Sequence, residues 1–282
     1  MSMAYANLLN NPCGSPLTHP TYIGGDGGIL TRFETDILVF VGATDTAGMV
    51  CWTPGGIGYN AGNASHLLAI NAASSSASVA AGALPSSNAP GGSFLLSNAS
   101  SARCVAACAQ VYWPGSESAR QGIVYTGSVN GGSVVLGSSY STDGLANLTQ
   151  YVDRMPNDFI ETKWRPADGD QLSINPTTAT PTIEQSRRNS ILICVKGIPG
   201  SVGVRVRLVA IYEWQPAAAD GITPSVSARN WTTSALNDVL SYLDNTMPDW
   251  QHKLGDVARM GASALVAAVS YQTARRVPRI EL

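Results

Sequence analysis

Residues 187–216, RRNSILICVKGIPGSVGVRVRLVAIYEWQP, contain two strongly β-prone runs on either side of a turn built from Gly197, Pro199 and Gly200. Side chains alternate across a strand, so Val202, Val204, Val206, Leu208 and Ala210 share one face, and Gly203, Arg205, Arg207 and Val209 share the other. One face is core and the other carries positive charge. The pattern predicts that Ile191–Val195 and Val202–Trp214 form the last strand pair of a sheet that needs a second apolar layer to cover it. Arg205 and Arg207 are then solvated, at a subunit contact, or on an RNA-facing wall.

Further strands are predicted upstream. The run RFETDILVFV (32–41) ends in β-prone residues, and GMVCWTPGGIGYN (48–60) supplies a strand before a Gly-rich turn. ARCVAACAQVYWPG (102–115) and GIVYTGSV (122–129) read as consecutive strands, and GSVVLGS (132–138) as a further one. Residues 71–101 are almost uncharged and low in complexity, which predicts a long surface connection or a weak strand pair. The stretch LTQYVDRMPNDFIETKW (148–164) mixes a short helical pattern with a β-like end.

Only 13% of the 282 residues are charged, whereas there are 28 Gly and 16 Pro, a balance that favours turns and short strands over long surface helices. Three divisions follow: an arm at 1–30 with at most a short helix at Met3–Leu9, an all-β domain at 31–216, and a helical segment at 217–282. In the last, Leu236, Val239, Leu240 and Leu243 lie at helical spacing before Pro248. A second stripe follows at Trp250, Leu254, Val257, Gly261, Ala264, Leu265, Ala268 and Val269, fit either for packing inside an assembly or for a membrane surface.

Signals of chemistry are few. His19, His66 and His252 lie at no metal-ligand spacing, and GGDGG (24–28) lacks the strand and helix a dinucleotide loop requires. The five cysteines, Cys13, Cys51, Cys104, Cys108 and Cys194, are odd in number and without a CxxC pair. They read as free thiols in a reducing compartment, with Cys104 and Cys108 acting as small hydrophobes. The start of the chain has neither the basic flank nor the apolar stretch of a signal peptide, which points to cytosolic synthesis. Carboxylates gather at Asp153, Asp158 and Glu161 and again at Asp168 and Asp170; Asp158 and Glu161 are candidates for a calcium ion shared between subunits. A net charge of −2 gives no global attraction to nucleic acid, and the cluster Arg275, Arg276 and Arg279 suits only weak, non-specific phosphate contact.

Four segments together resemble the capsid proteins of nodaviruses, especially those infecting insects, and of related tombus-like viruses. They are SSARCVAACAQVYWPGSESARQGIVYTGSV (100–129), NDFIETKW (157–164), NSILICVKGIPGSVGVRVRLVAIYEWQP (189–216) and DNTMPDWQHKLGDVARMGASALVAAVS (244–270). The resemblance implies an eight-stranded antiparallel jelly-roll β-sandwich, with α-helical N- and C-terminal segments forming an inner layer of an icosahedral shell. It implies a homo-oligomer that encloses RNA in a virion assembled in the host cytoplasm and meets a host receptor. Its RNA-facing residues would be Arg205, Arg207, Arg275, Arg276 and Arg279, and its membrane-active helix would carry Trp250, Leu254, Val257 and Leu265.

Two departures from that family stand out. Residues 1–60 hold one basic residue, Arg32, against four acidic ones, where the family commonly has an arginine-rich arm. The family's self-cleavage site falls on Asn245-Thr246, and the assisting carboxylate's position falls on Cys13, a poorer proton acceptor at its ordinary pKa. Cleavage is therefore not expected, and the leading reading is a structural shell protein, not an enzyme. The alternative is a secreted or surface β-sandwich binding module of lectin or adhesin type, which would call for a signal peptide and paired cysteines.

Overall fold

The two β-prone runs at the end of the sandwich do not pair with each other. In the computed structural model, β12 (Asn189–Lys196) and β13 (Val204–Pro216) lie in different sheets. The predicted closing hairpin is thus a crossover from one layer to the other. Gly203, at φ +71, lies on this crossover, and a Cβ there would come within 2.6 Å of Val41 Cγ1 and 2.9 Å of the Val39 carbonyl oxygen. Backbone packed so closely, in a left-handed conformation, favours glycine.

The structure describes residues 3–20, 28–56, 66–166, 175–176 and 189–217. The chain divides into two units, Met1–Ser227 and Ala228–Leu282, and all described residues fall in the first. The remaining strands are β1 (Ile29–Val39), β2 (Ala47–Trp52), β3 (Leu67–Ala72), β4 (Ser78–Ala80), β5 (Gly82–Ala83), β6 (Ala99–Tyr112), β7 (Ile123–Asn130), β8 (Ser139–Ser141), β9 (Tyr151–Arg154), β10 (Ile160–Trp164) and β11 (Asn175–Pro176). Among the described residues three short α-helices accompany them: α1 (Met3–Asn10), α2 (Gly92–Asn98) and α3 (Thr142–Ala146).

The first sheet runs β1-β13-β6-β10, with β11 also on β6; the second runs β5-β3-β2-β12-β7-β9. Four antiparallel pairs, β1 with β13, β2 with β12, β6 with β10 and β7 with β9, nest one inside the next along the chain. The contacts β13–β6 and β12–β7 roll these pairs into two layers. That nesting defines the eight-stranded antiparallel jelly roll that the resemblance implied. The short strands β3, β4, β5, β8 and β11 are additions to the eight.

Between the sheets, Val204, Val206, Leu208, Ala210 and Tyr212 of β13 and Ala107, Ala109 and Val111 of β6 meet Val50, Trp52, Ile191, Ile193 and Val195. The alternation read from β13 therefore holds over Val204–Ala210. It breaks on the other face, where Val209 and Ile211 are also buried. Ile211 is covered by α1, whose Tyr5 and Leu8 pack with Val105, Ala106 and Ile211 on the outside of the first sheet. A β-bulge helps: Ile211 pairs with Ala106 and Tyr212 with Cys104, leaving Val105 as the extra residue, so Val105 and Ala106 both reach that small cluster.

The second sheet is also covered outside. Leu145 and Ala146 of α3, with Val134 and Ala81, lie on Met49, Cys51, Leu192 and Cys194. This explains the unbroken apolar run Ile191–Val195, since a strand buried on both faces loses its period of two. The segment 132–138, read as a strand, instead begins within a one-turn 3-10 helix at Gly131–Ser133 and inserts Val134 into this cover. The low-complexity stretch supplies β4, which pairs with β8, then β5 and α2. Residues 148–164 contain no helix; they form β9 and β10.

Candidate functional site

Cys13 and Cys108 form a disulfide with a Cα–Cα distance of 5.9 Å, which corrects the reading of five free thiols. The pairing is non-local, 95 residues apart, and depends on the chain after α1 returning over β6. No sequence spacing could indicate it. The thiol at the position where the family resemblance expects a carboxylate is therefore consumed in a covalent bond.

The outer face of the first sheet has two differently built halves. Over one, the N-terminal arm is fastened by several contacts besides the disulfide. Arg165 donates to the Leu9 carbonyl (3.4 Å) and to Asn10 Oδ1 (2.8 Å), and the Tyr5 hydroxyl donates to the Val105 carbonyl (3.4 Å). Arg32 donates to the carbonyls of Pro12 and Ser15. Nearby, Glu213, 1% exposed, accepts from Arg103 Nε at 2.9 Å and from the Gly28 backbone N–H at 2.9 Å. Arg103 and Glu213 are direct cross-strand partners, so the register itself sets this buried ion pair.

The other half is open and polar. Arg205 Nη2 lies 2.9 Å from Asp36 Oδ2, and Arg207 pairs with Glu34. Arg207 also reaches Gln110 Oε1 at 3.4 Å; Gln110 Nε2 donates to Glu161 (2.8 Å), and Glu161 faces Lys163 at 3.8 Å. The hydrogen bond to Glu34, and next that to Tyr112, hold the Arg207 guanidinium above its ordinary pKa. Cations Arg205, Arg207 and Lys163 thus stand among carboxylates Glu34, Asp36 and Glu161. The alternation in β13 revealed the arginines, but their carboxylate partners come from β1, which is distant in sequence.

The two calcium candidates are differently placed. Asp158 is exposed in the turn between β9 and β10, and Glu161 is half-buried on β10 and engaged by Gln110 and Lys163. Among the described residues no group of three or more His, Cys, Asp or Glu is arranged to hold a metal ion. No helix among them is long and apolar enough to cross a membrane. Asn245, Thr246, Trp250, Leu254, Val257, Leu265, Arg275, Arg276 and Arg279 lie outside the described residues, as do Asp168 and Asp170.

At the edge of the second sheet, β9 pairs among the described residues only with β7, and all four of its residues are exposed. Tyr151 and Val152 are 50% and 56% exposed, and by strand alternation they point to opposite faces. An open strand edge bearing apolar side chains on both faces is a template for pairing or packing with another chain. The four mixed residues YVDR carry no periodic signal that would mark this edge in the sequence.

No family model matches the chain, and no curated protein sequence matches it. Several solved structures do. A chain of the turnip yellow mosaic virus empty head shares 11% identity, with a TM-score of 0.38 over 74% of this chain and 93% of that one. A tobacco necrosis virus chain shares 13% identity, with a TM-score of 0.37 over 68% and 97%. A chain of the infectious bursal disease virus VP2 subviral particle shares 10% identity, with a TM-score of 0.45 over 86% and 94%. The jelly-roll assignment itself rests on the strand pairing described above.

Proposed function

We propose that this protein is a structural subunit that self-assembles into a non-enveloped icosahedral virus shell, acting through surface contacts and not through catalysis. Jelly rolls of this double-sheet type serve both as viral capsid domains and as lectin domains. The observation that carries the shell reading is the edge strand β9, unpaired on one side among the described residues, with Tyr151 and Val152 half exposed on opposite faces. Neighbouring copies would bury it. The sequence segments that resemble nodavirus capsid proteins, 100–129, 157–164 and 189–216, coincide with the framework strands β6, β7, β10, β12 and β13.

Within this reading the shell encloses RNA, held weakly by Arg275, Arg276 and Arg279, and assembles in the host cytoplasm. Arg205 and Arg207 contribute less net charge to such contact, because each faces a carboxylate. Exposed Asp158 and neighbouring Glu161 are where calcium would join subunits, and the tail stripe Trp250, Leu254, Val257 and Leu265 is where a membrane would be met. A second reading, a secreted or surface β-sandwich binding module, is favoured by the Cys13–Cys108 disulfide, since such bonds persist in oxidising compartments.

Negative-stain electron microscopy of the protein expressed alone, with absorbance at 260 and 280 nm, separates the two. Uniform spherical particles support the shell, and a high 260 nm signal adds packaged RNA. A monodisperse small species across salt and calcium conditions overturns the shell reading.

A further inference from the structure

We propose that the Cys13–Cys108 disulfide is an exchangeable latch on the N-terminal arm. A small thiol such as glutathione attacks it at Cys13 and, by opening it, loosens α1 from the first sheet. This inference does not depend on shell formation.

Three features of the molecule make this pair the site of thiol chemistry. First, Cys13 is half-buried in the arm, whereas Cys108 lies fully buried beneath it in β6, so an incoming thiolate meets the Cys13 sulfur. Second, the other three cysteines are buried, and burial pushes the thiols of Cys51 and Cys194 up to about 12 and that of Cys104 up as well. Thiols of that kind are nearly devoid of the reactive thiolate. Third, Lys163 stands directly opposite Cys108 in the β6–β10 register, which sets a cationic residue on the strand beside the departing thiolate, and positive charge nearby favours a thiolate.

The exchange balances with glutathione as the two-electron reductant. A glutathione thiolate bonds to the Cys13 sulfur, the Cys13–Cys108 bond breaks, and Cys108 leaves as a thiolate that takes up a proton. A second glutathione thiolate then displaces the Cys13 thiolate, giving glutathione disulfide and two free cysteines. In the reverse direction, the Cys13 thiolate attacks glutathione disulfide and releases one glutathione, and Cys108 displaces the second.

The consequence is mechanical. With the bond closed, α1 is tied covalently to β6; with it open, the arm is held by Tyr5 and Leu8 in their small cluster and by the hydrogen bonds from Arg165 and Arg32. A reducing cytosol would keep the arm releasable, and an oxidising exterior would fix it.

The test uses the full chain in glutathione redox buffers, read by alkylation mass spectrometry and by hydrogen exchange of peptides covering 3–15. Supporting results are a Cys13–Cys108 linkage in oxidising buffer, a glutathione adduct on Cys13 and none on Cys108 during reduction, and arm exchange roughly tenfold faster or more after reduction. Cys13→Ser should reproduce the fast arm exchange while β6 and β13 stay protected, which separates latch release from unfolding. Lys163→Met should slow opening by glutathione without preventing the linkage. Five free thiols in oxidising buffer, an adduct on Cys108 instead of Cys13, or arm exchange indifferent to reduction would each overturn the proposal.

Discussion

The ring of Phe40 fills the space that a side chain on Gly48 would need: a Cβ there would lie 2.2 Å from Phe40 Cδ1 and 2.4 Å from the Ile70 carbonyl oxygen. Phe40 is fully buried and has φ 61°, an uncommon conformation for a bulky residue, at the corner where the chain leaves β1 for the second sheet. The absent side chain of one residue thus makes room for the strained placement of the other. Gly48→Ala should destabilise the domain by roughly 1–3 kcal/mol, because the Ile70 backbone cannot give way as a flexible side chain would. Denaturant unfolding would measure it, and a wild-type midpoint would refute the steric account.

Glu213 and Arg103 are buried together on the outer face of the first sheet. Replacing one member of such a pair strands the other charge away from water, so Glu213→Gln should cost roughly 3–5 kcal/mol. Glu34→Gln removes the partner of Arg207 at a more exposed site and should cost no more than about 1 kcal/mol. Equal losses in the two variants would contradict the difference in burial.

His66 is 4% exposed, neither ring nitrogen has a hydrogen-bond partner among the described residues, and burial lowers its pKa from 6.5 to about 4. The folded state therefore binds fewer protons than the unfolded state between those values, and stability rises with pH across that window. The stabilisation from keeping His66 neutral is fully present above pH 6.5 and is lost as pH falls towards 4, on the order of 3 kcal/mol in all. His66→Phe should flatten this part of the stability profile. A slope unchanged by the substitution would assign it to other groups.

On the proposed shell reading, Val152→Lys should abolish or strongly reduce particle formation while shifting domain stability by less than about 0.5 kcal/mol, because Val152 is already 56% exposed. Particle yield by sedimentation, alongside the unfolding midpoint, would check both halves. Normal particles from this variant would remove β9 from the subunit contact.

Segments with one face buried and the other wet declare themselves as strands in their own residues. The alternation Val204, Val206, Leu208, Ala210 is the clearest case, because strand geometry alone sends those residues to one side. The short helix at the start and the β-rich middle were legible for similar local reasons. Which strands pair, and across which layer, was decided only by the tertiary structure. β12 and β13 adjoin in sequence yet join different sheets, because pairing depends on the rolled packing of all eight strands and not on the turn between them. The same holds for Cys13 with Cys108, Arg207 with Glu34 and Arg103 with Glu213, contacts spanning 95 to 173 residues. Hydrophobic periodicity records whether a residue faces apolar surroundings, but it carries no label for which distant segment supplies them.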